Sequence, residues 1–238
     1  MSEFSAERER IRQTYAGYAA DPHYGAMWHP LNPVAIYYAL VQRREIALLF
    51  HRLGIMLEDK RILDVGCGSG GLLRRLVDIG ASAPNLVGAD LMLPRLQSGR
   101  AVDASLQLAC ADASALPYPT GYFDLEFQFT MLSSVLDHGL QAQIAAEMLR
   151  VLRPAGLIIS LDMYRPSRRK DAPVNGISRV RLGKLFPECS IQTKRVGLHP
   201  RLVEPFAARS LLLCELLGHV PWLTVHYLSV IKPNRDRA

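Results

Sequence analysis

The rhythm of apolar and polar residues changes twice along the chain. Residues 5–20 are rich in Glu, Arg and Ala and predict a polar helix. Pro30 and Pro33 then punctuate, and residues 34–53 carry apolar positions at helical spacing. From Arg61 the texture becomes alternating. RILDV predicts a strand, a glycine-rich turn follows, and LLRRLVDIG predicts a helix. NLVGAD, SLQLACAD, YFDLEFQF and LIISLDM predict four more strands. Between them stand a weak helix in LMLPRLQSGRA and a stronger one over 140–152, which Arg153-Pro154-Ala155-Gly156 should close.

Strands of nearly continuous apolar residues, separated by helices, indicate a parallel sheet covered on both faces, an α/β doubly wound fold. Right-handed crossovers then bring the loops after each strand to one edge, where ligands of such folds bind. After Met163 the alternation breaks. A basic loop leads to a short helix near 177–185, a strand in SIQTKRVGLH, an apolar helix over 205–217 and a last strand in TVHYLSVIK. The expected organisation is a helical cap over 1–55 and one domain over 56–238, with a helical insertion at 199–221 before the last strand.

Composition narrows this modestly. With 238 residues, 49% of them hydrophobic, the chain suits one α/β domain with additions. Four widely spaced cysteines (Cys67, Cys110, Cys189, Cys214) form no CxxC pair, which favours reduced thiols, a cytoplasmic setting and no metal site. The charged start MSEFSAERERIRQ does not read as a secretory signal. The greasiest stretch, 211–223, carries Glu215 and His219 and falls short of the roughly 18 apolar residues of a membrane span. The net charge is +6, yet residues 165–195 alone hold nine Lys/Arg against Asp171 and Glu188, a local +7. Such a segment suits phosphate, nucleic acid or anionic lipid, and equally a solvated face.

The chemistry concentrates in ILDVGCGSGG, residues 62–71. A turn between a strand and a helix N-terminus points N–H groups at a ligand, and glycine lets that ligand approach the backbone. Gly66, Gly68 and Gly71 fit GxGxxG, a weak signal alone. Three aspartates sharpen it. Asp64, two residues before Gly66, would repel a diphosphate and favour a cationic amine. Asp90, at the end of the second strand, can accept from both hydroxyls of a ribose, and Asp112, ending the third, can take an adenine amino group. Local capping is the competing explanation for both: Asp90 could cap the next helix and Asp112 could begin a turn. An amine, a ribose and an adenine without phosphate describe S-adenosylmethionine.

The motifs VGCGSG, GADL, DASALPYPTGYFD and LRVLRPAGLI, in that order, resemble a class I S-adenosylmethionine-dependent methyltransferase of the small-molecule or glycan type. The resemblance is close from Arg61 to Asp162 and loose elsewhere. It implies a seven-stranded, mostly parallel sheet of order 3-2-1-4-5-7-6 with the last strand antiparallel. It also implies cofactor contacts at Asp64, Gly66, Cys67, Gly68, Asp90, Leu91, Asp112, Ala113 and Gln128. The VLEH-type sequence common after the fourth strand aligns by distance with Met131 and Leu132, which leaves His138 an ordinary helix-end residue.

By the same analogy Tyr15, Tyr18, Tyr24 and Trp28 would line or gate an acceptor pocket, or else fasten the leading helix. Arg165, with Arg168 and Arg169, would meet an anionic acceptor, and the 205–217 helix would suit a lipid-linked one. Neither Asn/Asp-Pro-Pro-Tyr nor a Pro-Cys nucleophile occurs, which disfavours methylation of nucleic-acid bases. Cys67 suits a small turn residue better than a nucleophile. No catalytic residue stands out; His29, His138, His199 and Asp162 are candidate bases for a hydroxyl acceptor. The expected reaction is methyl transfer to a small molecule, natural product or glycan, at oxygen, in the manner of secondary metabolism. An RNA methyltransferase using 165–195 and a non-catalytic cofactor-binding partner subunit are the alternatives.

Overall fold

A computed structural model of the chain describes residues 4–165 and 172–234. Seven strands form one sheet: β1 (Ile62–Val65), β2 (Leu86–Asp90), β3 (Gln107–Cys110), β4 (Phe123–Phe129), β5 (Leu152–Met163), β6 (Cys189–Leu198) and β7 (Thr224–Pro233). Their order is β3-β2-β1-β4-β5-β7-β6. The first five run parallel, and β7 pairs antiparallel with both β5 and β6.

The helices are α1 (Ser5–Ala20), α2 (Pro22–Met27), α3 (Pro33–Leu53), α4 (Gly71–Val77), α5 (Leu93–Val102), α6 (His138–Val151), α7 (Arg179–Leu185), α8 (Pro200–Ala207) and α9 (Leu211–Gly218). Alternate strand residues enter opposite cores. Ile62, Leu125 and Ile159 pack beneath α3, α4 and α8, whereas Leu63, Val65 and Ile158 pack beneath α6 and α7. Burial on both faces is why these strands lack polar alternation.

Three elements differ from the sequence expectation. The apolar 205–217 stretch is two helices, because the Ser210 side chain accepts from Leu213 N at 3.1 Å and starts α9 anew. Arg153-Pro154-Ala155-Gly156 does not lie outside the sheet: β5 already begins at Leu152, and a register shift opposite Phe123 and Leu125 accommodates the proline. Helix α2 was not expected; Asp21 accepts from His23 N at 2.9 Å and Pro22 takes the first helical position, a pairing that starts even a short helix.

Helices α1 and α3 attach by opposite means. Helix α3 buries Val34, Tyr37, Tyr38, Val41, Ile46, Leu49 and Phe50 along one stripe. Helix α1 buries none of its residues. Ile11 packs against the core, and the other contacts are polar: Glu7 accepts from Leu136 N (2.5 Å) and Asp137 N (3.3 Å), and Arg10 donates to Ser134 O (2.5 Å) and Pro173 O (3.2 Å).

Glu126, at the centre of the sheet, is fully buried, and neither carboxyl oxygen has a hydrogen-bond partner among the described residues. Burial raises its pKa well above the ordinary value. The folded chain therefore binds a proton that the unfolded chain releases, and stability falls as pH rises above the ordinary carboxylate range. Glu126→Met should be more stable than the parent at pH 8, with the difference shrinking towards pH 4; urea denaturation at the two pH values measures it.

Candidate functional site

The turn after β1 is locked by β2. Ala89 O accepts from Gly66 N (2.7 Å) and from Cys67 N (3.1 Å). The Asp90 carboxylate accepts from Gly68 N and from Met92 N, each at 2.8 Å. Gly66, Gly68 and Gly70 all have φ between +56° and +76°, backbone that glycine adopts without strain. Asp90 thus braces the turn and the loop before α5 without capping that helix, whose N-cap is Met92, and it also lines a cavity. A carboxylate has about four acceptor positions, so two engaged ones leave room for more.

Two cavities flank this turn. The narrower, of about 160 Å³, is lined by Asp90, Leu91, Met92, Asp112, Ala113 and Ile144, among others. The wider, of about 550 Å³, is lined by Asp64, Cys67, Arg75, Tyr18, Trp28 and Tyr38 near its walls, and by His226. Tyr15, Tyr24, Gly66, Arg95, Thr130 and Ser134 border both.

The three aspartates sit in different electrostatic settings. Asp64 is buried and forms no side-chain hydrogen bond among the described residues. Burial pushes its pKa up to about 7; Arg75 pulls it back, Asp90 adds to the rise and Arg95 opposes it. Asp112 accepts from Ser114 N (2.9 Å) and Ser114 Oγ (2.7 Å) and pairs with the Arg8 guanidinium of α1. Although burial opposes the charge, these bonds and Arg8 hold its pKa below the usual value. Arg8 also donates to Ser114 Oγ at 3.0 Å, so α1 covers the Asp112 end of the narrow cavity.

Several expected residues lie elsewhere. Gly68 borders neither cavity: its N–H is taken by Asp90, and a Cβ there would run into the Arg95 guanidinium rather than a ligand. Gln128 is wholly buried, donates to Ser160 Oγ and, at 2.6 Å, to Asp162 Oδ2, and accepts from Leu132 N at 3.2 Å. It pairs regularly with Val65 and Ser160 in the sheet and borders neither cavity. Asp162, a candidate base, is the other member of that network; burial raises its pKa to about 6, and it also accepts from Ser133 N at 3.1 Å. Arg165 is exposed, donates to Trp222 O at 2.8 Å and borders neither cavity. Arg168 and Arg169 lie outside the described residues.

The histidines proposed as bases have structural tasks. His29 Nδ1 accepts from Leu31 N and His199 Nδ1 from Arg201 N, each at 3.2 Å, and His138 opens α6 behind the Asp137 cap. Cys67 is buried, and desolvation raises its thiol pKa, which leaves it a protonated turn residue.

Sequence reasoning missed Arg8, Arg75, Arg95, Thr130 and His226. Arg95 lies 4.9 Å from the Tyr15 ring centroid, between the cavities. Thr130, at φ +59°, is the one non-glycine residue with positive φ among those described. A β-branched residue there costs on the order of 1–3 kcal/mol. Its N–H donates to Leu161 O (2.7 Å), and its carbonyl accepts from Ser134 Oγ (2.8 Å) and Ser133 Oγ (3.2 Å), which holds the strained turn in place. No propensity signals such a site in advance; an arginine two residues after the second-strand loop was the one cue for Arg95.

The sheet order, the glycine turn and the acids at the tips of β2 and β3 define the class: this is a class I S-adenosylmethionine-dependent methyltransferase fold. Residues 63–160 match the family model described as a methyltransferase domain. The chain is 31% identical over 115 residues to a ubiquinone/menaquinone biosynthesis C-methyltransferase of Stutzerimonas stutzeri, covering 46% of this chain and 44% of that one. It is 33% identical over 121 residues to a malonyl-[acyl-carrier protein] O-methyltransferase of Pseudescherichia vulneris, covering 51% and 45%. The chain thus spans less than half the length of these curated relatives. Among solved structures, a putative sarcosine dimethylglycine methyltransferase from Galdieria sulphuraria superposes with a TM-score of 0.61 at 15% identity, covering 82% of this chain and 86% of that one, a likeness of fold alone.

Because α1 rests on polar contacts, breaking one should loosen it without unfolding the sheet. Arg8→Ala is expected to speed amide exchange across α1 several-fold while leaving β1 and β4 unchanged, as read by hydrogen-exchange mass spectrometry.

Proposed function

We propose that the chain binds S-adenosylmethionine across the two cavities and transfers its methyl group to a small organic acceptor in the wider one, at oxygen. The observation that carries this reading is the seam at Gly66 and Thr130, where an acid-tipped narrow cavity opens into a wide aromatic one. When bound, the cofactor supplies a methyl group on a sulfonium, so alignment matters more than a bond-forming side chain.

The residues present fit that group. Asp90, with Leu91, would hold the ribose, and Ala113 and Asp112 the adenine end, with Arg8 either sharing or yielding the Asp112 carboxylate. Asp64, which lacks a hydrogen-bond partner among the described residues and faces the wider cavity, suits the ammonium. Arg75 and Arg95 border the same cavity and suit the carboxylate; Arg75 Nε is buried without a partner among the described residues. Gly66 would lie along the cofactor where the two cavities meet.

For the acceptor, Tyr15, Tyr18, Tyr24, Trp28 and Tyr38 provide an aromatic wall; Tyr18 and Tyr24 stack at 4.3 Å. Ser134 Oγ donates to Thr130 O, so the Tyr15 hydroxyl, 2.9 Å away, donates to Ser134. The Tyr15 oxygen then keeps its lone pairs for a hydroxyl at the junction, which supports an oxygen acceptor. One relative is named as a C-methyltransferase of quinone biosynthesis and the other as an O-methyltransferase of a malonyl carrier, which supports a small-molecule acceptor over a glycan. The open volume of the wider cavity favours turnover over a non-catalytic partner role. The RNA reading loses support because Arg181 donates to Gln141 and His138 O, and Lys194 pairs with Glu45.

S-Adenosylmethionine should raise the melting temperature and NADH should not; the reverse result would refute the cofactor assignment. Asp90→Ala should weaken cofactor binding by about 1–3 kcal/mol, since it removes a ligand acceptor and releases the turn. Titration calorimetry should also show affinity rising from about pH 5.5 to 7 as Asp64 ionises, then falling above about pH 8 as the ligand's own amine loses its proton. Asp64→Asn should abolish the rising limb.

A further inference from the structure

The wider cavity ends in a residue with no task in the reading above. His226 stands on β7 opposite Val196 of β6 and Met163 of β5, and all three border this cavity. Its neighbours on the same face of the sheet are core residues, Leu161, Val196 and Leu228. His226 is the polar residue of this face, half-buried against the cavity, and neither ring nitrogen has a protein hydrogen-bond partner among the described residues. The groups nearest it are already committed. The Tyr38 ring meets the imidazole edge-on at 5.8 Å, but its hydroxyl donates to Leu198 O at 2.7 Å. His199 uses Nδ1 to cap α8.

The backbone makes room for this ring. Gly197 has φ +71°, and a Cβ there would approach His226 Nδ1 at 3.2 Å. Burial, with His199 adding a smaller effect, pushes the His226 pKa down to about 4. The ring is therefore neutral at pH 7 and offers one N–H donor and one lone pair. A hydroxyl, which both donates and accepts, matches that pair. The stacked tyrosines and Trp28 border the same cavity, reach His226 through Tyr38, and match the face of a flat ring.

We infer that His226 is an acceptor-binding residue, and that the acceptor is a hydroxylated aromatic ring whose hydroxyl bonds to the imidazole while its face lies on the tyrosine wall. This rests on the methyl-transfer reading for its purpose, but not for its test, because the ring can bind without cofactor. The probe is benzene-1,4-diol, with 1,4-dimethoxybenzene as the ring that lacks a hydroxyl donor. In protein labelled with ¹⁵N-histidine, the diol should shift the His226 imidazole resonances, and the dimethoxy compound should leave them unmoved.

His226→Phe, which keeps a ring against Tyr38, should weaken diol binding at least tenfold and leave the affinity for S-adenosylmethionine unchanged. His226→Asn, with one donor and one acceptor, should recover part of the loss. Diol binding that leaves the His226 signals unshifted, equal affinity in His226→Phe, or no diol binding by folded parent protein each overturns the inference. Failure of S-adenosylmethionine to bind the parent refutes the methyl-transfer reading instead, and the diol result stands apart from it.

Discussion

One hydrogen-bonded junction organises this molecule: the end of β2 holds the turn that follows β1. Ala89 O takes two turn N–H groups, and the Asp90 carboxylate takes a third together with the N–H of Met92 in the following loop. Parallel strands place those groups side by side, because Val65 pairs with Ala89 in the sheet. With the N–H groups of Gly66, Cys67, Gly68 and Gly70 satisfied, the turn keeps its shape without a ligand. The cavity edge is preformed, and the cost of ordering a loop is met during folding rather than binding.

The second organising feature is the contrast between the two coverings of that edge. Helix α3 is part of the core, whereas α1 lies on top through Glu7, Arg8 and Arg10. Polar contacts at a surface are each worth little and are easily exchanged for water. A covering of this kind closes a cavity without sealing it. Arg8 occupies the Asp112 carboxylate and Arg95 lies over Gly68, so guanidinium groups stand where ligand groups are expected.

Much of the architecture was legible beforehand. The apolar strands and their spacing indicated the doubly wound sheet, and four motifs supplied the order of its strands. The glycine turn and the acids at 64, 90 and 112 were found by the same route, because each lies at or just beyond a strand end that the pattern marks. The tyrosines at 15, 18 and 24 were noted as a possible wall or mere fastening, and they do border the wider cavity. Gln128 was misplaced because strand position alone does not say which face a residue at the strand's end presents. A shift of one residue moves a side chain from cavity to core.

By itself the sequence determined the class of fold, the location of the turn and the acid at each strand tip. These depend on neighbours close along the chain: apolar runs, glycines and the residues that end a strand. Only the tertiary structure decided which donors those acids already hold, that Thr130 is strained, and that Arg95 and His226 reach the cavities. Each of these depends on segments far apart in sequence: Arg8 meets Asp112 across 104 residues, and His226 borders a cavity that Tyr15 also borders. Local pattern carries no information about such encounters; the packing of β7 and α1 against the rest creates them.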